Sequence, residues 1–94
     1  FERFIALILA SKDEKKLENE SHRLKQHLVK NLNSKILGPI NAPIYKIRKN
    51  FRNRILIRSK KSDIIQESLS FILKKFKFSP GMKLTVDVDP ISFN

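Results

Sequence analysis

The hydrophobic residues of this 94-residue chain follow two different periods, and the order of those periods limits the folds that the chain can adopt. Two segments, near 13–31 and 62–76, repeat apolar residues every three or four positions, which indicates helices that each bury one face. The other apolar residues indicate strands at residues 4–10, 34–48, 51–59 and 82–88. We therefore predict the order β-α-β-β-α-β, with a four-stranded antiparallel sheet and both helices on one of its faces.

Capping and turn residues at the ends of these segments support the assignment. Ser11 and Glu14 have the spacing of a capping box, which predicts the start of the first helix, and Ser62 is placed to cap the second. Pro39 and Pro43 interrupt the second strand, and proline cannot donate a ladder hydrogen bond, so this strand is expected at a sheet edge or with a bulge. The whole pattern indicates a ferredoxin-like α+β domain.

The first strand is apolar on both of its sides. If the odd-numbered residues of 5–9 face the helices, Phe4 and Ile8 face the other side of the sheet, where a small domain rarely exposes an apolar patch. We expect this second face to pack on another part of a longer protein. The chain begins with Phe1 rather than Met, and we expect residues 1–94 to be a single domain cut from that longer protein.

Positive charge is concentrated in the middle of the chain. The net charge is +11, and twelve Lys or Arg residues lie between Glu20 and Asp63 with no acidic residue among them. Arg52, Arg54 and Arg58 project from one side of the third predicted strand, where alternate residues are roughly 7 Å apart. This spacing is close to the distance between phosphates on a nucleic-acid strand, and Arg can bind a phosphate with two hydrogen bonds.

A turn predicted at Lys49 and Asn50 folds the second strand back beside these arginines. For Tyr45 and Phe51 we favour packing in the core over stacking on bases, because Phe51 is in phase with the apolar residues of its strand. The candidate nucleic-acid-binding residues of this hairpin and its flanks are Lys46, Arg48, Arg52, Arg54, Arg58, Lys60 and Lys61.

Several classes of site are excluded by residues that the sequence lacks. There is no Cys, so disulfides, thiolate–zinc sites and a Cys nucleophile are excluded, and Gly38 and Gly81 do not form a phosphate-binding loop. His22 and His27 are five residues apart on one helix and do not share a face. No apolar run is long enough for a membrane span. We expect no catalytic residue, metal site, cofactor or membrane partner for this chain.

Short motifs spread over the chain resemble those of one family. They are LGP at 37–39, AP at 42–43, FR at 51–52, ILI at 55–57 and VDVDPISF at 86–93. In this order they are similar to the C-terminal domain of primosomal protein N′ (PriA), the replication-restart DNA helicase family of bacteria. The resemblance runs without a gap from Leu37 to Asp63 and covers essentially the whole chain in element order.

The resemblance implies an S10-like version of the predicted fold and a function for it. It implies a DNA-binding accessory domain that contacts branched or single-stranded DNA and packs on the helicase core, in the bacterial cytoplasm and associated with the nucleoid. Other implied partners are the single-stranded DNA-binding protein and the remaining primosome proteins. ATP, Mg and zinc would be bound by other parts of the parent helicase, which hydrolyses ATP, and this fragment would not itself be an enzyme.

Individual positions agree with the family pattern or depart from it. A Gln that contacts the single-stranded DNA-binding protein in the family matches Gln66, while an Arg four positions earlier is replaced by Ser62, with Lys61 adjacent. The implied partner-binding residues are therefore Gln66 and Lys61. The family often has an aromatic residue where this chain has Asn53, which predicts a DNA contact that is more purely electrostatic.

Two other functions remain open from the residues alone. Phosphate is common to RNA and DNA, so an RNA-binding, ribosomal-protein-like module of the same fold is one alternative. An RRM is disfavoured because its glycine-aromatic strand motif is missing. The other alternative is a protein-docking module whose positive charge serves only solvation.

Overall fold

The computed structural model describes residues 2–60 and 64–88, and within them the elements follow the predicted order. The strands are β1 (Glu2–Ser11), β2 (Lys35–Ile47), β3 (Asn50–Lys60) and β4 (Lys83–Val88), and the helices are α1 (Glu14–Asn31) and α2 (Ile64–Lys75). All neighbouring strands are antiparallel, in the order β2-β3-β1-β4. The predicted ferredoxin-like α+β fold is therefore confirmed.

The core lies between the helices and one face of the sheet. Ile5 and Leu7 of β1 are at most 2% exposed, and their partners on β3, Ile57 and Ile55, are fully buried. The helices add the residues of their predicted apolar stripes, which include Leu17, Leu24 and Leu28 from α1 and Ile65, Leu69 and Ile72 from α2. Since all of these residues form one cluster, both helices cover the same face of the sheet, as the helical periods predicted.

Helix α1 is capped by Asp13 and not by Ser11. The Asp13 side chain accepts a hydrogen bond from the backbone N–H of Lys16 at 3.0 Å, so the predicted capping box is wrong. Ser11 is still part of β1, where it pairs with Phe51, and this pairing keeps it out of the cap position. Its hydroxyl instead accepts the N–H of Asp13 at 3.2 Å. Ser62, the predicted cap of the second helix, lies outside the described residues.

Strand β2 lies at an edge of the sheet and is irregular, as its prolines predicted. Its register with β3 shifts twice, once within residues 37–40 and once within residues 41–46. At the first shift Gly38 has a φ of +99°, and a Cβ there would lie 2.8 Å from the carbonyl oxygen of Arg54. Glycine therefore allows the two strands to approach at this point.

The turn between β2 and β3 consists of Arg48 and Lys49, one residue before the predicted position. Their φ angles are 48° and 67°, and a two-residue turn with both φ positive twists in the same sense as the strands that it joins. Asn50, which was expected in the turn, is the first residue of β3 and pairs with Ile47. Arg48 therefore belongs to the turn and not to the second strand.

We call the side of the sheet away from the helices the open face. Its apolar residues on β1 are less exposed to solvent than the alternation in the sequence predicted. Ala6 is 3% exposed, and Phe4 and Ile8 are half-buried. Arg54 of β3 lies directly opposite Ile8, and its Nε atom is buried. Arg54 as a whole is half-buried, so its side chain helps to cover the apolar residues of the open face.

Candidate nucleic-acid interface

The register of β3 places three arginines on the open face. Arg52, Arg54 and Arg58 lie opposite β1 residues that alternate with the buried core positions. In a strand, positions two apart are separated by roughly 7 Å, so Arg54 is about 7 Å from Arg52 and about 13 Å from Arg58 along the sheet. The predicted row of arginines therefore exists on one side of the strand.

Two lysines from other strands extend this row into a surface, and the sequence reasoning missed both. Lys35 of β2 lies opposite Arg58, and Lys83 of β4 lies opposite Ala10, which in turn is opposite Arg52. Neighbouring strands are about 4.8 Å apart, so Lys35 is directly beside Arg58, whereas Lys83 is two strands, or roughly 10 Å, from Arg52. We call the group Arg52, Arg54, Arg58, Lys35 and Lys83 the basic strand surface.

The described side chains of the open face carry more positive than negative charge. Among the described side chains that the register places on the open face, Asp87 on the edge strand β4 is the single carboxylate, opposite Ala6. The Nε of Arg54 has no hydrogen-bond partner within the described residues. Arg52 and Arg58 each make further contacts within the chain. The surface thus has a net positive potential, and some of its arginines are fixed by contacts within the chain. Both properties favour binding of a phosphate backbone.

The structure does not bring Lys46 to the basic strand surface. Lys46 pairs with Phe51, whose ring packs against the core, and its Nζ lies 4.9 Å from the centroid of that ring. Lys46 is therefore on the helix side of the sheet, the same side as the residue with which it pairs. Arg48 is exposed at the turn, beyond the end of the strand.

Tyr45 and Phe51 are engaged within the chain. Their ring centroids are 5.4 Å apart, and the Tyr45 hydroxyl donates to Oε2 of Glu14 at 2.7 Å. This hydrogen bond to a carboxylate raises the pKa of the Tyr45 phenol to about 12. Both rings therefore serve packing at the hairpin end of the sheet, in agreement with the role that we favoured.

Asn53 also lies on the helix side of β3. It is 2% exposed, and its Nδ2 donates to the Ser21 hydroxyl of α1 at 3.2 Å. A side chain at this position points away from the open face, so its identity does not decide whether bases stack there. The same hydrogen bond explains why a serine interrupts the leucine stripe of α1.

The remaining predicted site residues are Lys60, Lys61 and Gln66. Lys60 is the last residue of β3, and Lys61 lies outside the described residues. Gln66 is exposed and lines a cleft of about 370 Å³ between α2 and β4, whose walls include Leu69, Leu73 and Val86. The predicted partner-binding glutamine is therefore beside an apolar cleft.

No metal-binding cluster is present in the described ranges. No group of three or more His, Asp or Glu residues in residues 2–60 and 64–88 is arranged to hold a metal ion. His22 contacts Glu18 at 3.2 Å, and the ring of His27 lies 5.2 Å from that of Phe76. No described helix is both long and apolar enough to cross a membrane.

Comparisons with known proteins give a consistent assignment. A family model described as the primosomal protein N C-terminal domain matches residues 1–91. A replication restart protein PriA from Rickettsia felis is 33% identical over 93 residues, and one from Rickettsia typhi is 32% identical over the same length. These alignments cover 99% of this chain and 14% of each relative. A de novo designed protein, Foldit4, superposes with a TM-score of 0.70 at 14% identity, covering 98% of this chain and all of the design, which shows the fold alone.

Proposed function

The chain belongs to the family of primosomal protein N C-terminal domains, and from this membership we propose that it is the DNA-binding accessory domain of a replication-restart helicase. In this proposal the basic strand surface binds the phosphates of branched or single-stranded DNA during primosome assembly. The observation that carries it is the row of Arg52, Arg54 and Arg58 on one side of β3.

The proposal assigns the helicase reaction to other parts of a longer protein. The chain spans about 14% of the length of its PriA relatives, which supports a division of labour between this domain and a helicase core. ATP hydrolysis, with its Mg, and zinc binding would belong to that core. The site of action would be the bacterial cytoplasm, at the nucleoid.

Docking on the core is proposed at the edge of the open face. Three exposed apolar residues lie there on edge strand β2: Leu37, Ile40 and Ile47, which are 37%, 54% and 37% exposed. An edge strand also presents unpaired backbone groups to a partner. Contact with the core along β2 leaves the arginines of β3 accessible to DNA.

The single-stranded DNA-binding protein is the proposed partner of the cleft beside Gln66. The apolar walls of this cleft would take an apolar side chain of the partner, and Gln66 would supply a hydrogen bond at the rim. A folded Gln66→Ala variant that binds this partner as tightly as the wild type would contradict the assignment.

The test of DNA binding uses a variant that removes charge from the basic strand surface and keeps the stems of the side chains. Arg52→Gln with Arg54→Gln should weaken binding to fork and single-stranded DNA about equally for different base sequences, since phosphates carry no sequence information. The slope of log K against log salt should fall by about 1.4 to 1.8 in magnitude, because each of the two phosphate contacts contributes roughly 0.7 to 0.9. Fluorescence anisotropy at several salt concentrations gives both quantities.

The matched control is Lys12→Gln with Lys15→Gln. These two lysines are exposed and lie beside Asp13 and Glu14, so the variant removes the same net charge from a compensated region. An equal loss of DNA binding in the control would mean that only net charge is measured. Tighter binding to structured RNA than to either DNA would favour the ribosomal-protein-like alternative, and unchanged binding in the arginine variant would favour a docking module.

A further inference from the structure

A second basic region lies on the helix side of the molecule, away from the open face. The C-terminal half of α1 and the end of α2 enclose a cleft of about 810 Å³. Six of its lining residues are basic or can become so: Arg23, Lys25, His27, Lys30, Lys75 and Lys77. We call it the helix-side cleft.

The walls of the helix-side cleft come from two acid-free segments. No acidic residue lies between Glu20 and Asp63, nor between Glu67 and Asp87. The charge of Glu20, which comes just before the first of these segments, is offset by Arg23, whose Nε donates to it at 2.7 Å. Within the described part of the chain, no ion pair involves Lys30, Lys75 or Lys77. All three lysines are exposed.

An exposed aromatic ring borders the same cleft. Phe71 of α2 is 60% exposed, the largest exposed fraction among the described large hydrophobic residues, and Nζ of Lys75 lies 4.3 Å from its ring centroid. A smaller cavity of about 300 Å³ joins Phe71 to His27 and Lys75, which also line the helix-side cleft. A cation and an aromatic face are thus presented side by side. Proteins that bind single strands use this combination for a phosphate and its base.

We propose that the helix-side cleft binds a single strand of nucleic acid, with Lys30, Lys75 and Lys77 on the phosphates and a base stacked on Phe71. This site is separate from the basic strand surface, which lies on the opposite side of the sheet. It deepens the proposed function, since one domain then contacts two strands of a branched molecule. The proposal rests on that function only in assuming that nucleic acid is the partner.

The character of the walls favours nucleic acid over an acidic peptide. Apart from Phe76 and Lys77, which follow α2, the lining residues are helical, so most of the backbone N–H groups of the walls are already bonded within α1 and α2 and offer no edge to an extended peptide. What remains is a set of ammonium groups and an exposed ring. These recognise phosphate and a base face without backbone pairing.

The test is a titration of the 94-residue chain with a short oligothymidylate, followed residue by residue through amide NMR shifts. We expect shifts in β3 and, independently, in α1 near His27 and α2 near Phe71. Lys75→Gln with Lys77→Gln should abolish the helix-side shifts and leave those of β3. Arg52→Gln with Arg54→Gln should do the reverse. Phe71→Leu, which changes no charge, should weaken helix-side binding by roughly fivefold or more.

Each other outcome separates the two proposals. Shifts confined to β3 would overturn the helix-side site and leave the proposed function intact. Shifts confined to the helix side would support this site and would show that the basic strand surface does not bind the single strand. An unchanged affinity in a folded Phe71→Leu variant would overturn the stacking contact. Polyglutamate that shifts the cleft amides where the oligothymidylate does not would show a peptide site, and the inference would be wrong.

Discussion

At the scale of single residues, Glu20 is a buried carboxylate whose hydrogen bonds join two distant parts of the chain. It is 5% exposed and accepts hydrogen bonds from Nε and Nη2 of Arg23, at 2.7 and 2.8 Å, and from the N–H of Ser79 at 2.7 Å. Arg23 also donates to the carbonyl of Lys77 and lies 4.1 Å above the ring of Phe76. Glu20 thereby ties α1 to the segment that leads into β4.

These partners make stability depend on pH in a defined range. The hydrogen bond from Arg23, helped by that from Ser79 and opposed by burial, lowers the pKa of Glu20 from 4.5 to about 2. A carboxylate with a depressed pKa in the folded state stabilises the protein above pH 4.5 and loses that contribution as pH falls toward 2. We predict a loss of about 2–3 kcal/mol in unfolding free energy over this range from Glu20.

The measurement is urea unfolding followed by circular dichroism at several pH values. Glu20→Gln should be less stable at pH 7 and should lose this part of the acid dependence. Glu67→Gln, which alters an exposed carboxylate of α2, serves as the control and should keep the wild-type profile. Parallel profiles for wild type and Glu20→Gln between pH 4.5 and 2 would contradict the assignment of the shift to this site.

At the scale of elements, the turn of the β2–β3 hairpin places charged residues where the backbone conformation favours other residue types. Arg48 and Lys49 occupy a turn that needs positive φ at both residues, and neither is a residue that favours this conformation. Glycine at the second position is the usual solution. The hairpin therefore keeps two cations at its tip at the expense of some stability.

We predict that Lys49→Gly raises the unfolding free energy by about 1 kcal/mol, because glycine adopts the left-handed conformation without strain. Lys49→Ala removes the same charge without relieving the conformation, so it should not stabilise the chain. Thermal and urea unfolding of the two variants at equal ionic strength provide the comparison. A similar gain in both variants would mean that charge repulsion, and not the turn geometry, sets the stability of the hairpin.

The two faces of the sheet have different roles at the scale of the whole molecule. One face forms the core with both helices, whereas the open face combines arginines at its centre with exposed apolar residues at its β2 edge. The apolar positions of β1 that first suggested a docking face are mostly covered within the domain. Docking on a helicase core is accordingly expected at β2.

Hydroxyl-radical footprinting should locate this contact. In the proposed longer protein without DNA, we predict severalfold lower modification of Leu37 and Ile40 than in the 94-residue chain, because burial against another domain removes solvent access. Phe71, on the helix side, is the internal control and should be modified equally in both. Equal modification of Leu37 and Ile40 in both proteins would show that the core does not cover β2.

Much of the candidate site follows from strand alternation, and the rest depends on which strands pair. Arg52, Arg54 and Arg58 share a side because side chains alternate along any strand, so they are visible in the sequence. Lys35 and Lys83 join them only through the registers of β2 with β3 and of β4 with β1. Lys46 was misplaced because its side depends on its pairing partner, Phe51, which faces the helices.

The sequence by itself determined the order of elements, the buried stripes of both helices and the edge position of β2, because these follow from local periods and from the chemistry of proline. Tertiary structure decided the cap of α1, where the pairing of Ser11 with Phe51 left Asp13 to accept the helix N–H. It also decided the helix-side cleft, whose walls are about fifty residues apart in the chain. Charges so distant meet only when both helices pack on the same face of one sheet, and that arrangement comes from burying their apolar stripes together.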